Sequence, residues 1–251
     1  MNRILEKKKI YAVVISYNSA PVLEETFNRI DKSLFDKIYF FDDNSSDGSA
    51  EKAKKFNWII NKNDKNLGHG GNLKKALLTA CADGADYIVE IHADGQYPPN
   101  NITKAKEMLI DNYDLIIGSR FLNKSPHAED GMPFMRHITN KFMSFITRSI
   151  LGIKFTEFHT GYKIFSKNFI NSVPCQKNSD NYLFSFEILL QAEFFKKKYG
   201  EISIASSYEG YHTSCGYLNG IIYLAGNFKT IILFLLAKYK IYKHPIFKNE
   251  K

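Results

Sequence analysis

Apolar runs that each end in a cluster of polar residues recur along about the first 120 residues, and this alternation restricts the fold more than any other feature. Ile10–Ser16 (IYAVVIS), Lys37–Asp42 (KIYFFD), Trp58–Asn61, Tyr87–His92 (YIVEIH) and Leu115–Ser119 (LIIGS) read as strands. Helical patterns lie between them: one follows Pro21, one covers Leu73–Ala82 after the Gly-rich stretch NKNDKNLGHGGN, and one covers Ile102–Asp111. Strands that are apolar throughout are buried on both faces. Separated by helices, they indicate a mainly parallel sheet covered by helices on each side.

The second half is less regular. Arg136–Leu151 and Tyr182–Lys198 have helical periodicity, EFHTGYKIFS reads as a loop entering a short strand, and Ile202–Ser206 alternates like a strand. Residues 1–210 are therefore expected to form one α/β domain, and residues 211–251 a C-terminal extension. That extension holds GIIYLAGNFKTIILFLLA followed by KYKIYKHPIFKNEK. Its longest uninterrupted apolar run, Ile231–Ala237, is short of the ~20 residues needed to span a bilayer. The pattern suits a helix lying in a membrane interface as well as a last helix packed on the core. Cys81, Cys175 and Cys215 are odd in number and in no CxxC spacing, as in a reduced cytosolic protein. The basic N-terminus MNRILEKKKI lacks the apolar core of a secretion signal, so a cytoplasmic location is expected.

A net charge of +8 and a pI near 9.1 point to a polyanionic partner: a membrane surface, nucleic acid or a phosphorylated ligand. The strand ends decide among these. In open parallel sheets, ligands bind beyond the carboxyl ends of the strands. Those ends carry Ser16-Tyr17-Asn18, Asp42-Asp43-Asn44, His92-Ala93-Asp94-Gly95-Gln96 and Gly118-Ser119-Arg120. One polar strand end needs no more than solvent to explain it. Four that converge, with carboxylates beside an arginine, fit a divalent cation and a diphosphate. Nucleic-acid binding accounts for the basic charge but not for these acidic and amide ends. A dinucleotide fingerprint is also excluded, because the first strand ends in SYNSAP and GHGG has the wrong spacing.

These motifs resemble the family-2 glycosyltransferases of GT-A fold, in particular the branch of dolichyl- and polyprenyl-phosphate sugar synthases. VVISYNSA stands where that branch has VVIPAYNE. FDDNSSDGS (Phe41–Ser49) matches VDDGSTDGT, NLGHGG (Asn66–Gly71) matches its Gly-rich loop, and HADGQYPP matches DADGQ-x-P. GSR (Gly118–Arg120), EFHTGYK (Glu157–Lys163) and the F-x-x-E of Phe184–Glu187 follow in the family's order. Two departures are plain: histidine replaces the first aspartate of DAD, and SSYEGYHTSCGY has only His212 where the branch has a basic segment.

The resemblance implies an inverting transfer from a UDP- or GDP-sugar to a lipid-linked acceptor in cell-surface glycan synthesis, at the inner face of the plasma membrane. Ser16, Tyr17, Asp42, Asp43 and Gly68 are then expected around the nucleotide. Asp94 and Gln96 would hold Mg2+ or Mn2+ on the diphosphate, with His92 as an outer ligand. Arg120 would neutralise phosphate charge. Glu157 would act as base toward a hydroxyl acceptor, or merely order its loop if the acceptor is a phosphate, which is already ionised. A soluble sugar or protein acceptor, or a nucleotide-sugar-binding protein without catalysis, are the competing expectations. In this assignment Asp94→Ala abolishes transfer, whereas His92→Ala keeps measurable activity and shifts metal preference; equal losses in metal-titrated initial rates would contradict these roles.

Overall fold

The computed structural model describes residues 8–123, 131–208 and 217–248. The apolar runs of the first half all form strands: β1 (Ile10–Ser16), β2 (Lys37–Asp42), β3 (Ile59–Lys62), β4 (Tyr87–His92) and β5 (Leu115–Ser119). β6 (Lys163–Ser166) and β7 (Tyr199–Ser203) complete a seven-stranded sheet of order β3-β2-β1-β4-β6-β5-β7. β6 runs antiparallel to both β4 and β5, and the other pairings are parallel. The sheet is thus mainly parallel, as expected, with one reversed strand wedged between β4 and β5.

Every residue of β1 from Tyr11 to Ser16 is buried, as a central strand covered on both faces requires. Val13 and Ile15 point into one core with Leu73, Leu77 and Phe184. Ala12 and Val14 point into the other with Leu23 and Phe27. The first core lies under α3 (Gly68–Ala82), α6 (Lys167–Ser172), α7 (Phe184–Phe194) and α8 (Tyr217–Lys238). The second lies under α1 (Leu23–Asn28), with α2 (Ser49–Ala53) beside it, and α4 (Lys106–Ile110). α5 (Phe134–Leu151) precedes the loop that leads into β6.

Boundaries shift where packing overrides local pattern. α3 begins at Gly68, inside the stretch expected to be loop, because its first turn is pressed against residues 179–181. A Cβ on Gly70 would lie 2.3 Å from the Ser179 carbonyl oxygen. Only glycine allows that approach. Residues 99–105 are a 3-10 turn, and the α-helical part of the expected Ile102–Asp111 helix is confined to Lys106–Ile110. β7 starts three residues before the expected strand, because its register is set by pairing Leu115 with Tyr199 along β5. Cys81 and Cys175 are free and buried, while Cys215 and His212 lie outside the described residues.

α8 runs through Asn227 and Lys229 without a break and is longer than the apolar run in the sequence implied. Residues Asn219–Lys238 are long and apolar enough, by length and composition, to cross a membrane. One side is packed: Asn227, Thr230, Ile231 and Phe234 are buried, and the Phe234 ring lies edge-on to Phe194 of α7 at 5.6 Å. The turn beyond it seats Ile246 and Phe247 in the same core. Ile222 and Ile232, on the other side, are exposed. Phe234→Ala is expected to cost about 3–5 kcal/mol in urea unfolding; a loss below ~1 kcal/mol would show α8 to be a detachable appendage.

Candidate active site

Parallel register lines up the carboxyl edge. Ser16 of β1 is level with Asp42 of β2, and Ile15 with His92 of β4, so the polar ends of three adjacent strands share one rim. On this rim Ser16 is buried, its hydroxyl bonded to Ser19, and Tyr17 is half exposed. Asp42 is fully buried. One of its oxygens accepts from the Ser45 amide, and the other has no hydrogen-bond partner in the protein. A buried carboxylate oxygen without a donor is costly unless a ligand supplies one.

Asp43 has a different task. Its Oδ1 accepts from the Leu67 amide at 2.8 Å and from Asn63 Nδ2 at 2.9 Å. Asn63 in turn bonds Asn72, whose amide donates to the Phe41 carbonyl. The carboxylate therefore fastens the Gly-rich loop to the end of β2. The far side of that loop is held by Glu187, whose two oxygens accept from the Ser179 amide (2.7 Å) and hydroxyl (2.8 Å). Glu187 is thus a cap on the segment against which Gly68 and Gly70 are seated. Burial raises its proton affinity, and the Ser179 bonds oppose that rise.

Asp94 and Gln96 lie on the turn after β4, both half-buried, with Asp94 Oδ1 accepting from the Gln96 amide at 3.0 Å. A carboxylate and an amide at the rim form an oxygen-donor set that fits Mg2+ or Mn2+. His92 Nε2 lies 2.9 Å from Glu90 Oε1, so ligation beside Asp94 through that nitrogen requires it to release the carboxylate.

Arg120 and Glu157 form the best-defined part of the site. Arg120 is 2 % exposed and Glu157 0 %. Glu157 Oε2 accepts from the Arg120 amide at 2.7 Å, and Oε1 accepts from Arg120 Nε at 2.8 Å and from Nη2. Two further guanidinium hydrogens reach Tyr208 and the His159 carbonyl. Both charges are thus compensated inside the protein, and the carboxylate keeps the guanidinium protonated against the cost of burial. Arg120 reaches the turn after β4 through Tyr97, whose ring centroid is 5.9 Å from the guanidinium carbon.

The structure also brings in residues that motif reading passed over. Tyr208 joins Arg120 to the turn after β4, since the neighbouring Ser207 amide bonds the Gln96 carbonyl. Tyr223 of α8 lies 3.0 Å from His159 Nδ1, tying the C-terminal helix to the loop that carries Glu157. His159 is half-buried and stacked on Phe186, and desolvation with Arg120 nearby pulls its pKa down to about 3, so it is neutral. Lys163 is wholly buried beside Glu90 rather than presented to a phosphate. Glu90 had a signal in the sequence, a lone charge within YIVEIH; Tyr208 and Tyr223 had none.

With this geometry in view, comparison with known proteins is informative. The model of the family described as glycosyl transferase family 2 matches residues 11–173. An uncharacterised protein of Methanocaldococcus jannaschii is 31% identical over 213 residues, covering 84% of this chain and 87% of that one. The UDP-N-acetylglucosamine–dolichyl-phosphate N-acetylglucosaminyltransferase of Methanococcus voltae is 29% identical, covering 83% and 90%. Among solved structures, glucosyl-3-phosphoglycerate synthase of Mycobacterium tuberculosis, in complex with Mn2+, UDP and glucosyl-3-phosphoglycerate, superposes with a TM-score of 0.66. It is 14% identical, over 96% of this chain and 83% of that one, and so supports the fold alone. A family match over most of the chain, on a sheet whose polar rim carries the family's motifs, leads to one conclusion: the chain belongs to glycosyl transferase family 2.

Proposed function

We propose that the protein transfers a sugar from a nucleotide-diphosphate sugar to a lipid-linked phosphate acceptor, with inversion at the anomeric carbon, as a step in cell-surface glycan assembly. The observation that carries the choice of acceptor is the state of Glu157. Both of its oxygens are taken by Arg120, so it can accept a proton only by breaking a buried ion pair, at a cost of several kcal/mol. A hydroxyl acceptor needs a base; a phosphate acceptor, with its second pKa near ~6, brings its own negative charge. Glu157 then serves as a positioning residue that aims Arg120.

The donor side accords with this reading. Asp42, with its unpaired oxygen, is suited to a ribose hydroxyl or a base N–H, and the loop pinned by Asp43 would lie against the nucleotide. Asp94 and Gln96 would hold the cation, which when bound offsets the charge that develops on the departing diphosphate. UDP as the donor nucleotide is supported by the name of the M. voltae relative. The lipid acceptor is supported by that same relative and by a dolichol-phosphate mannosyltransferase of Pyrococcus furiosus, which is 32% identical over 53% of this chain.

An exposed apolar surface beside basic residues supports a peripheral position at the cytoplasmic face of a membrane. α5 exposes Phe142 and Phe145, and the neighbouring α8 exposes Ile222 and Ile232. Exposed Arg148, Lys238, Lys240 and Lys243 stand on or near the same two helices. Because one side of α8 is packed on α7, it would lie along the interface rather than cross it. Phe142→Glu/Phe145→Glu should abolish co-flotation with anionic vesicles; unchanged flotation would remove this surface from the reading.

Two measurements test the transfer itself. With labelled UDP- or GDP-sugars, Mn2+ or Mg2+ and a lipid extract, label is expected in the organic phase; label only in water-soluble products would favour a soluble acceptor, and no label with either would favour a binding protein without catalysis. Glu157→Gln should lower turnover with little change in the shape of the pH–rate profile. Loss of the profile's acidic limb, with a fall of roughly 10²–10⁴-fold, would instead identify Glu157 as a general base.

A further inference from the structure

Below the rim, β4 carries a cluster that the transfer chemistry leaves unused. Glu90 is 0 % exposed, and its Oε1 lies 2.9 Å from His92 Nε2 and 3.7 Å from His69 Nε2. The three ligand atoms lie within 4.8 Å of one another. The other oxygen, Oε2, faces the opposite way, 3.5 Å from Lys163 Nζ. Two imidazole nitrogens and one carboxylate oxygen therefore meet at a point, with a buried ammonium behind.

Compensation of Lys163 explains the direction of Oε2 but not the convergence on Oε1. His92 is in hydrogen-bond range of that oxygen, while His69, at 3.7 Å, is too far to share a proton with it. Metal–ligand bonds of about 2.0–2.2 Å place neighbouring ligand atoms of a tetrahedral site roughly 3.3 Å apart. The observed 2.9 and 3.7 Å fall on either side of that value.

We propose that His69, Glu90 and His92 bind a borderline transition-metal ion, of the Zn2+ or Co2+ type, at the base of the donor cleft and apart from the oxygen donors Asp94 and Gln96. Two imidazoles and one carboxylate form a zinc-like ligand set with one position open, whereas Mg2+ prefers oxygen. The bound ion displaces the proton that His92 shares with Glu90, and that proton goes to solvent. Lys163 stays on Oε2 as the outer partner that orients the carboxylate. Both rings are already held in place. His69 stacks on Tyr182 with centroids 5.1 Å apart, and His92 stands edge-on to Tyr97 at 5.8 Å. Gly161 backs the His92 ring so closely that a Cβ there would lie 2.5 Å from Cε1. The His69 and His92 side chains keep 13 % and 19 % exposure, a path for the ion and a fourth ligand. Binding would clamp the first turn of α3 to β4, stiffening the loop that Asp43 fastens from its other side.

The proposal is tested on the whole chain, stripped with a chelator and titrated with ZnCl2 or CoCl2 in the absence of any nucleotide. That keeps it independent of the transfer reading. Calorimetry should show one tight equivalent, and bound Co2+ should give the intense visible band of tetrahedral coordination, undiminished by excess Mg2+. His69→Ala and His92→Ala should each weaken binding by at least ~10–100-fold, while melting and circular dichroism show that each variant is folded. Asp94→Asn should leave binding intact. No saturable binding, a Co2+ band that survives both histidine substitutions, or a band lost in Asp94→Asn would overturn the assignment.

Discussion

A guanidinium withdrawn from water by a carboxylate 37 residues later in the chain organises one side of the polar rim. Burying two charges is unfavourable unless their hydrogen-bonding capacity is also met. Arg120 and Glu157 meet it by drawing in the Arg120 amide, the His159 carbonyl and Tyr208. Three otherwise independent pieces of chain are thereby brought to one point: the end of β5, the loop before β6, and the segment after β7. Because His159 also bonds Tyr223, the C-terminal helix joins the same network. The charged pair is less a source of stability than a specification of which loop sits where.

The side of the rim formed by the ends of β2 and β4 is built on another principle. Its carboxylates divide the work according to what occupies their oxygens. Asp43 is spent on the loop, Asp42 keeps one oxygen unpaired in a buried position, and Asp94 stands half-buried at the rim. Identical side chains on one edge thus differ in role because the loops that cover them differ. Glu187 belongs to this scheme although it is far from the rim in sequence. By capping residue 179 it presses a backbone against Gly70 and so places the start of α3.

Much of the fold was legible as pattern. β1, β2, β4 and β5 have the bounds that their apolar runs imply, since a strand buried on both faces must be apolar from end to end. The family, too, was legible, because its motifs sit at strand ends where spacing along the chain maps onto one rim. Roles were harder to read. Arg120 looked like a free cation for phosphate and Glu157 like a base; the contact between them, which ties both up, is not a property of either motif. Lys163, at the end of the EFHTGYK motif, is buried beside Glu90, which the motif does not show.

The sequence by itself determined the alternation of strand and helix, the polar rim and the family, because burial on two faces and chemistry at strand ends leave marks in local composition. Tertiary structure alone decided the reversed direction of β6, the start of α3 at Gly68, the pairing of Arg120 with Glu157, and the meeting of His69 with Glu90 and His92. Each of these rests on groups distant in sequence arriving within a few ångströms of one another, and which partner arrives depends on how the whole chain packs.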